Sequence, residues 1–212
     1  AHYFNNIGAE RMLAGETGTA YAYFRQSLIE DPEFASAWIN MGILHRREGE
    51  PAYAEAAFLE ALQYGHSETL DRTRHTGNVG WLSSRQNDTG LIAMSNLANL
   101  YEEMEQFERA AEYFERVESH RMKNPYYRYQ VASLAFGEGN YGEAIDNLEY
   151  AVRRRKNEDE FYHLLSLSYL MQGDREEARK WMKKAEEVAE ENSERSKYSY
   201  KLDLLRELDE KD

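Results

Sequence analysis

The chain of 212 residues has no cysteine, only three prolines, and 26 lysines and arginines against 39 aspartates and glutamates. Each shortage excludes something. Without cysteine there are no disulfides and no thiolate metal frames. With so little proline, long stretches can run as uninterrupted helix. A net charge of −13 argues against a nucleic-acid backbone or an anionic membrane as main partner, and it permits a basic partner. No apolar run reaches the roughly 20 residues that cross a bilayer. The opening residues, AHYFNNIGAE, lack the charged head and apolar run of a signal peptide, and the chain starts without Met, as expected of a fragment or a processed product. What is plentiful is apolar and charged residues, 42% and 31%, a balance that can fill a core.

Residues 137–144 read GEGNYGEA and place Gly137, Gly139 and Gly142 in the spacing of a dinucleotide-binding loop. Such a loop follows a strand inside a βαβ unit. Here a helical pattern precedes it, and related strings end at Ala20, Ala54, Ala110, Ala144 and Ala178. The steps between those alanines are 34, 56, 34 and 34 residues, the odd one being a period plus 22 residues. The segment is therefore one copy of an internal repeat.

The repeats stay in register around each alanine. Four residues on stand Phe24, Phe58, Phe114, Leu148 and Met182, and three further on Ser27, Ala61, Val117, Ala151 and Ala185. Upstream stand Ile7, Met41, Leu97, Val131 and Leu165, each followed by a small residue: Gly8, Gly42, Ala98, Ala132 and Ser166. Apolar spacings of three and four predict amphipathic helices, so each copy reads as helix, tight turn, helix. Gly15, Gly49, Gly139 and Gly173 fall where the chain must stop and reverse. The small residues are expected to let paired helices approach, and Phe24, Phe58 and Phe114 to fill the gap to the next repeat.

This pattern resembles the tetratricopeptide repeat, whose signature runs aromatic, Leu-Gly, Tyr, turn Gly, Ala, aromatic, Ala, Pro. Trp38, Met41 and Gly42 supply its start, Tyr101 and Tyr169 its Tyr, and Asp31-Pro32 its close. Glu105 stands where the turn glycine belongs, and Arg11 and Ala135 stand where Tyr belongs. The resemblance implies an all-α fold: a right-handed α-solenoid of about five helix-turn-helix repeats plus a C-terminal capping helix. One domain is expected over 1–212, with repeats at 1–34, 35–68, 93–124, 125–158 and 159–192. The cap covers 193–209, with Ser193 as N-cap and Tyr198, Leu202, Leu205 and Leu208 on its apolar side. Residues 71–92 form an insertion, read as a surface loop, a binding loop using Trp81 with Arg72, Arg74 and Arg85, or an extension of the next helix.

The resemblance also implies a binding face. In solenoids of this family the first helix of each repeat lines a concave groove. Projected here, that gives Asn5, Met12, Ile39, Ile43 and Arg46, then Asn99 and Glu102, then Tyr129, Phe136, His163 and Leu167. The Lys and Asn of the family's clamp for acidic peptide tails are replaced by Asn5 and Ala9, which does not support that activity. A groove apolar and aromatic toward its far end suits a peptide with apolar anchors. A shorter resemblance, carried by AMSNLANLYEE and NPYYRY, is to the repeat region that follows a transglutaminase-like domain in bacterial envelope proteins. It implies an exported bacterial parent chain, so periplasm or envelope stands beside cytoplasm as an expected location.

No catalytic constellation emerges. The six histidines never form H-E-x-x-H, GHSET at 65–69 lacks the second glycine of a nucleophile elbow, and no cofactor or metal is expected. Glu102, Glu103, Glu105 and Glu108 read as a solvated face, and the cations from Arg153 to Lys156 as complements to a helix C-terminus. The expected function is a non-enzymatic protein–protein interaction module binding a peptide or protein segment, with no nucleic-acid partner and no membrane insertion. The alternative is a structural scaffold that self-assembles through its ends or through 71–92.

Overall fold

The computed structural model describes residues 1–75 and 89–209, with side chains described for 1–65 and 89–205. Among these residues the fold is all-α, with eleven helices and no strand. They are α1 (His2–Leu13), α2 (Thr17–Glu30), α3 (Ala35–Arg47), α4 (Pro51–His75), α5 (Thr89–Glu103) and α6 (Phe107–Arg121), then α7 (Pro125–Gly137), α8 (Tyr141–Arg154), α9 (Asp159–Gln172), α10 (Arg175–Val188) and α11 (Asn192–Asp209). Two compact units divide the chain, Ala1–Ser119 and His120–Asp212.

Both units are built on one turn, repeated five times. Gly15, Gly49, Gly139 and Gly173 take φ of +79°, +75°, +80° and +90°. In each case the next residue donates its N–H to the carbonyl five positions back: Glu16 to Arg11, Glu50 to His45, Asn140 to Ala135 and Asp174 to Tyr169. The glycine's own N–H bonds the carbonyl three positions back, completing a Schellman cap. Glu105 makes the same pair of bonds through Glu102 and, via Gln106, Tyr101, at φ +58°. The turn survives without its glycine because the two hydrogen bonds hold an L-residue in a conformation it otherwise avoids.

Packing follows the sequence register. Ala20, Ala54, Ala110, Ala144 and Ala178 are all buried, as are Phe24, Phe58, Leu148 and Met182. A Cβ built on Gly42 would stand 2.4 Å from the Phe58 ring, and one on Gly8 2.6 Å from the Phe24 ring. The aromatic side chain of the second helix therefore occupies the space a larger residue on the first helix would need. Phe114, near the end of the first unit, is 40% exposed.

A second recurring contact fixes where first helices begin. Trp38 Nε1 donates to the Pro32 carbonyl at 2.8 Å, Arg128 Nε to Met122 at 2.8 Å, and Tyr162 Oη to Lys156 at 3.2 Å. Each donor sits at the same place in its repeat and reaches six residues back.

The ends of the expected insertion are helical. Pro51 starts α4, a position that suits its fixed φ and missing N–H, and the helix then runs past residue 68 to His75. Helix α5 begins at Thr89, ahead of residue 93. The two helices meet backbone to backbone. A Cβ on Gly65 would stand 2.6 Å from the Gly90 nitrogen, and Thr89 Oγ1 donates to the Gly65 carbonyl at 3.3 Å.

In the second unit, α11 closes the core with Tyr198, Leu202 and Leu205, all buried in one cluster with Phe161, Leu165 and Met182. That is the capping helix. It starts at Asn192, so Ser193 lies inside its first turn and is not its N-cap; Ser193 Oγ donates to Glu191 instead. The side chain of Leu208 lies outside the described residues.

Candidate functional site

The residues projected onto a first-helix face divide by burial. Asn5, Met12 and Ile39 are buried. Asn5 Oδ1 accepts from Asn40 Nδ2 at 2.9 Å, tying α1 to α3. Met12 packs with Phe24, Met41 and Leu44, and Ile39 with Ala61 and Ala93. Their surface is taken up by the core. Ile43 and Arg46 are half-buried, and Asn99 and Glu102 are exposed.

In the second unit Tyr129, Phe136, His163 and Leu167 are all half-buried. Tyr129 stacks on Phe161 with ring centroids 4.9 Å apart, and Phe136 meets Tyr141 edge-on at 5.4 Å. His163 is covered by the capping helix: Nε2 lies 2.8 Å from Lys201 Nζ, and its ring lies 5.2 Å from that of Tyr198. Burial, then the Lys201 ammonium, lowers its pKa to about 4, so the ring is neutral and accepts from the lysine. Trp81 and Arg85 lie outside the described residues. Arg72 and Arg74 belong to the last turns of α4, with side chains outside the described set.

Several titratable groups shifted by burial sit at helix contacts. Tyr101 Oη donates to Glu55 Oε1 at 2.7 Å, and Arg109 Nη2 donates to the same oxygen at 2.7 Å while its guanidinium lies 3.9 Å over the Tyr101 ring. Burial raises the Tyr101 pKa, helped by Glu55, and the Tyr101 hydroxyl with the Arg109 guanidinium holds Glu55 below the usual carboxylate range. Tyr169 Oη donates to Glu149 at 2.9 Å and Tyr198 Oη to Asp159 at 2.8 Å. Burial, then these carboxylates, raises both phenol pKa values. A buried phenol bonded to a carboxylate is a helix-to-helix clasp. Glu102, Glu103, Glu105 and Glu108 are all exposed. Among the described residues no cluster of three His, Asp or Glu is placed to hold a metal ion, and no helix is long and apolar enough to cross a membrane.

The sequence reading missed two adjoining open cavities in the first unit. One, of about 510 Å³, is lined by Tyr21, Leu44, His45, Glu48, Glu50 and Tyr53. The other, of about 340 Å³, shares Tyr21 and His45 and adds Arg25, Leu28, Ile29 and Trp38. The rings of Tyr21 and His45 lie 6.0 Å apart, and those of His45 and Tyr53 5.4 Å apart. The available signal was His45 itself, which occupies the Tyr place of its repeat.

Five equal turns joining antiparallel helix pairs, with small residues seated under aromatic ones, define a helical-repeat interaction protein. The chain belongs to the tetratricopeptide repeat family: family models of that description match residues 11–67, 93–125 and 135–197. Among solved structures, YrrB, described as a TPR protein with an unusual peptide-binding site, is 16% identical. The match covers 93% of this chain and 90% of YrrB, with a TM-score of 0.41. MamA is 18% identical over 88% of this chain and 90% of its own, with a TM-score of 0.42. PilF of Pseudomonas aeruginosa is 15% identical over 97% of this chain and 84% of its own, with a TM-score of 0.41. Comparison with curated proteins gave no match.

Proposed function

We propose that the chain is a non-enzymatic binding module that holds a peptide or protein segment against the first helices of its repeats. The observation that carries this reading is what packing leaves over. In the second unit Tyr129, Phe136 and Leu167 keep part of their apolar surface in water, and Leu134 and Met171, on the same two helices, are 70% and 54% exposed. In the first unit Ile43 and Arg46, with Asn99 and Glu102, offer a more polar surface. Apolar surface retained beside polar neighbours is the usual mark of a binding site. A binder is favoured over an enzyme because the most strongly shifted groups, Tyr101, Tyr169, Tyr198 and His163, are engaged by neighbouring helices.

The test is Leu167→Glu, since Leu167 is half-buried and lies outside the core cluster that Phe136 packs against. Cross-linking from the native source should capture a protein with the parent chain and lose it with the variant, while circular dichroism stays unchanged. Equal capture by a correctly folded variant overturns the proposal.

A further inference from the structure

Two repeats place different chemistry in the same three positions. In one, the residue after the conserved alanine of the preceding repeat is Glu55, the Tyr place is Tyr101, and the residue before the repeat's own alanine is Arg109. These three close on each other, with the Arg109 guanidinium on the Tyr101 ring and its Nη2 on Glu55. One repeat earlier, the matching residues are Tyr21, His45 and Tyr53. No lysine or arginine stands in this trio, and the space beside it is the cavity of about 510 Å³.

We propose that this cavity binds the guanidinium of an arginine in a partner peptide, in the place where the molecule supplies Arg109 to itself one repeat on. Three observations support that occupant. Tyr21 and Tyr53 are 44% and 66% exposed, so part of each ring is open to a planar cation. Two carboxylates line the cavity. Glu50 Oε2 lies 2.7 Å from His45 Nδ1, which donates to it because a carboxylate only accepts. The Glu48 carboxylate is exposed and has no polar partner among the described residues. The net charge of −13 draws a basic peptide toward the chain. The adjoining cavity, walled by Leu28, Ile29 and Trp38, receives an apolar residue next to the arginine, and Arg25 at its edge opposes a second cation there. The site uses α2, α3 and the start of α4, and none of the residues of the proposed first-helix face.

The probe is an acetylated, amidated Gly-Arg-Ile-Gly peptide, compared with its citrulline and lysine counterparts. Citrulline keeps the shape and removes the charge. The readout is the ring resonances of Tyr21, His45 and Tyr53 in the intact chain. The arginine peptide should shift them saturably, and the citrulline peptide should not. Tyr53→Ala and Glu48→Gln, both at exposed positions, should each weaken binding about threefold. Leu167→Glu should leave it unchanged, which separates this site from the proposed face. Absence of saturable shifts, equal response to citrulline, or full binding by folded Tyr53→Ala overturns the proposal. Equal affinity for the lysine peptide overturns the guanidinium assignment.

Discussion

Glu105 adopts the backbone conformation that four other repeats give to glycine. A left-handed L-residue costs roughly 1–2 kcal/mol, partly offset by its smaller loss of chain entropy compared with glycine. Glu105→Gly should therefore raise stability by about 1 kcal/mol, read from the urea midpoint at constant slope; a lower midpoint would mean that the Glu105 side chain contributes something its exposure hides. Glycines elsewhere differ from one another in kind. Gly42→Ala pushes a methyl into the ring of a fully buried Phe58 and should cost about 1–3 kcal/mol. Gly137→Ala meets nothing within 4 Å and should be neutral or slightly stabilising. Together the two substitutions separate the glycine that packing requires from one whose place in GEGNYGEA is coincidence.

Helix α11 is where an element responds to pH. His163 has an ordinary pKa near 6.5 when unfolded and about 4 under the capping helix. Between those values the unfolded chain binds a proton that the folded chain refuses, so stability falls as pH drops from about 6.5 to about 4 and is unaffected by this group above that window. Lys201 repels the imidazolium, whereas Asp159 and Glu194 favour it. Urea midpoints at several pH values should show a shallower acid loss in His163→Gln than in the parent chain; parallel curves would refute the assignment. The helices themselves were legible in the sequence because alanine, the aromatic and the small residue recur at fixed distances, and the five alanines with Phe24, Phe58, Leu148 and Met182 are buried where the spacing put them. Burial of Asn5, Met12 and Ile39 was not legible, since their contacts come from other helices: Asn40 for Asn5, Ala61 and Ala93 for Ile39. Of the three readings of 71–92, extension of the next helix matches the start of α5 at Thr89, whereas the run of α4 to His75 was not legible, because 71–92 as a whole, rich in Gly, Ser, Thr and Asn, carries no helical period. Only the Gly65–Gly90 approach shows why small residues stand there.

At the scale of the molecule, each compact unit has its own core. The unit from His120 onward holds a single large cluster closed by Tyr198, Leu202 and Leu205. Residues 120–212 should accordingly fold alone, with helical circular dichroism and a cooperative thermal transition. A fragment lacking α11, ending at 191, should lose that transition, because the apolar side of α10 would face water. Non-cooperative melting of 120–212 would show that its core is insufficient. The five Schellman turns have a kinetic consequence as well. Each ties together two helices a few residues apart, and the main packing partners are neighbours along the chain. Little loop entropy has to be lost before a helical hairpin gains its contacts. Such a chain condenses hairpin by hairpin, on the microsecond-to-millisecond scale of proteins dominated by local contacts, and can begin before its last repeat has been synthesised.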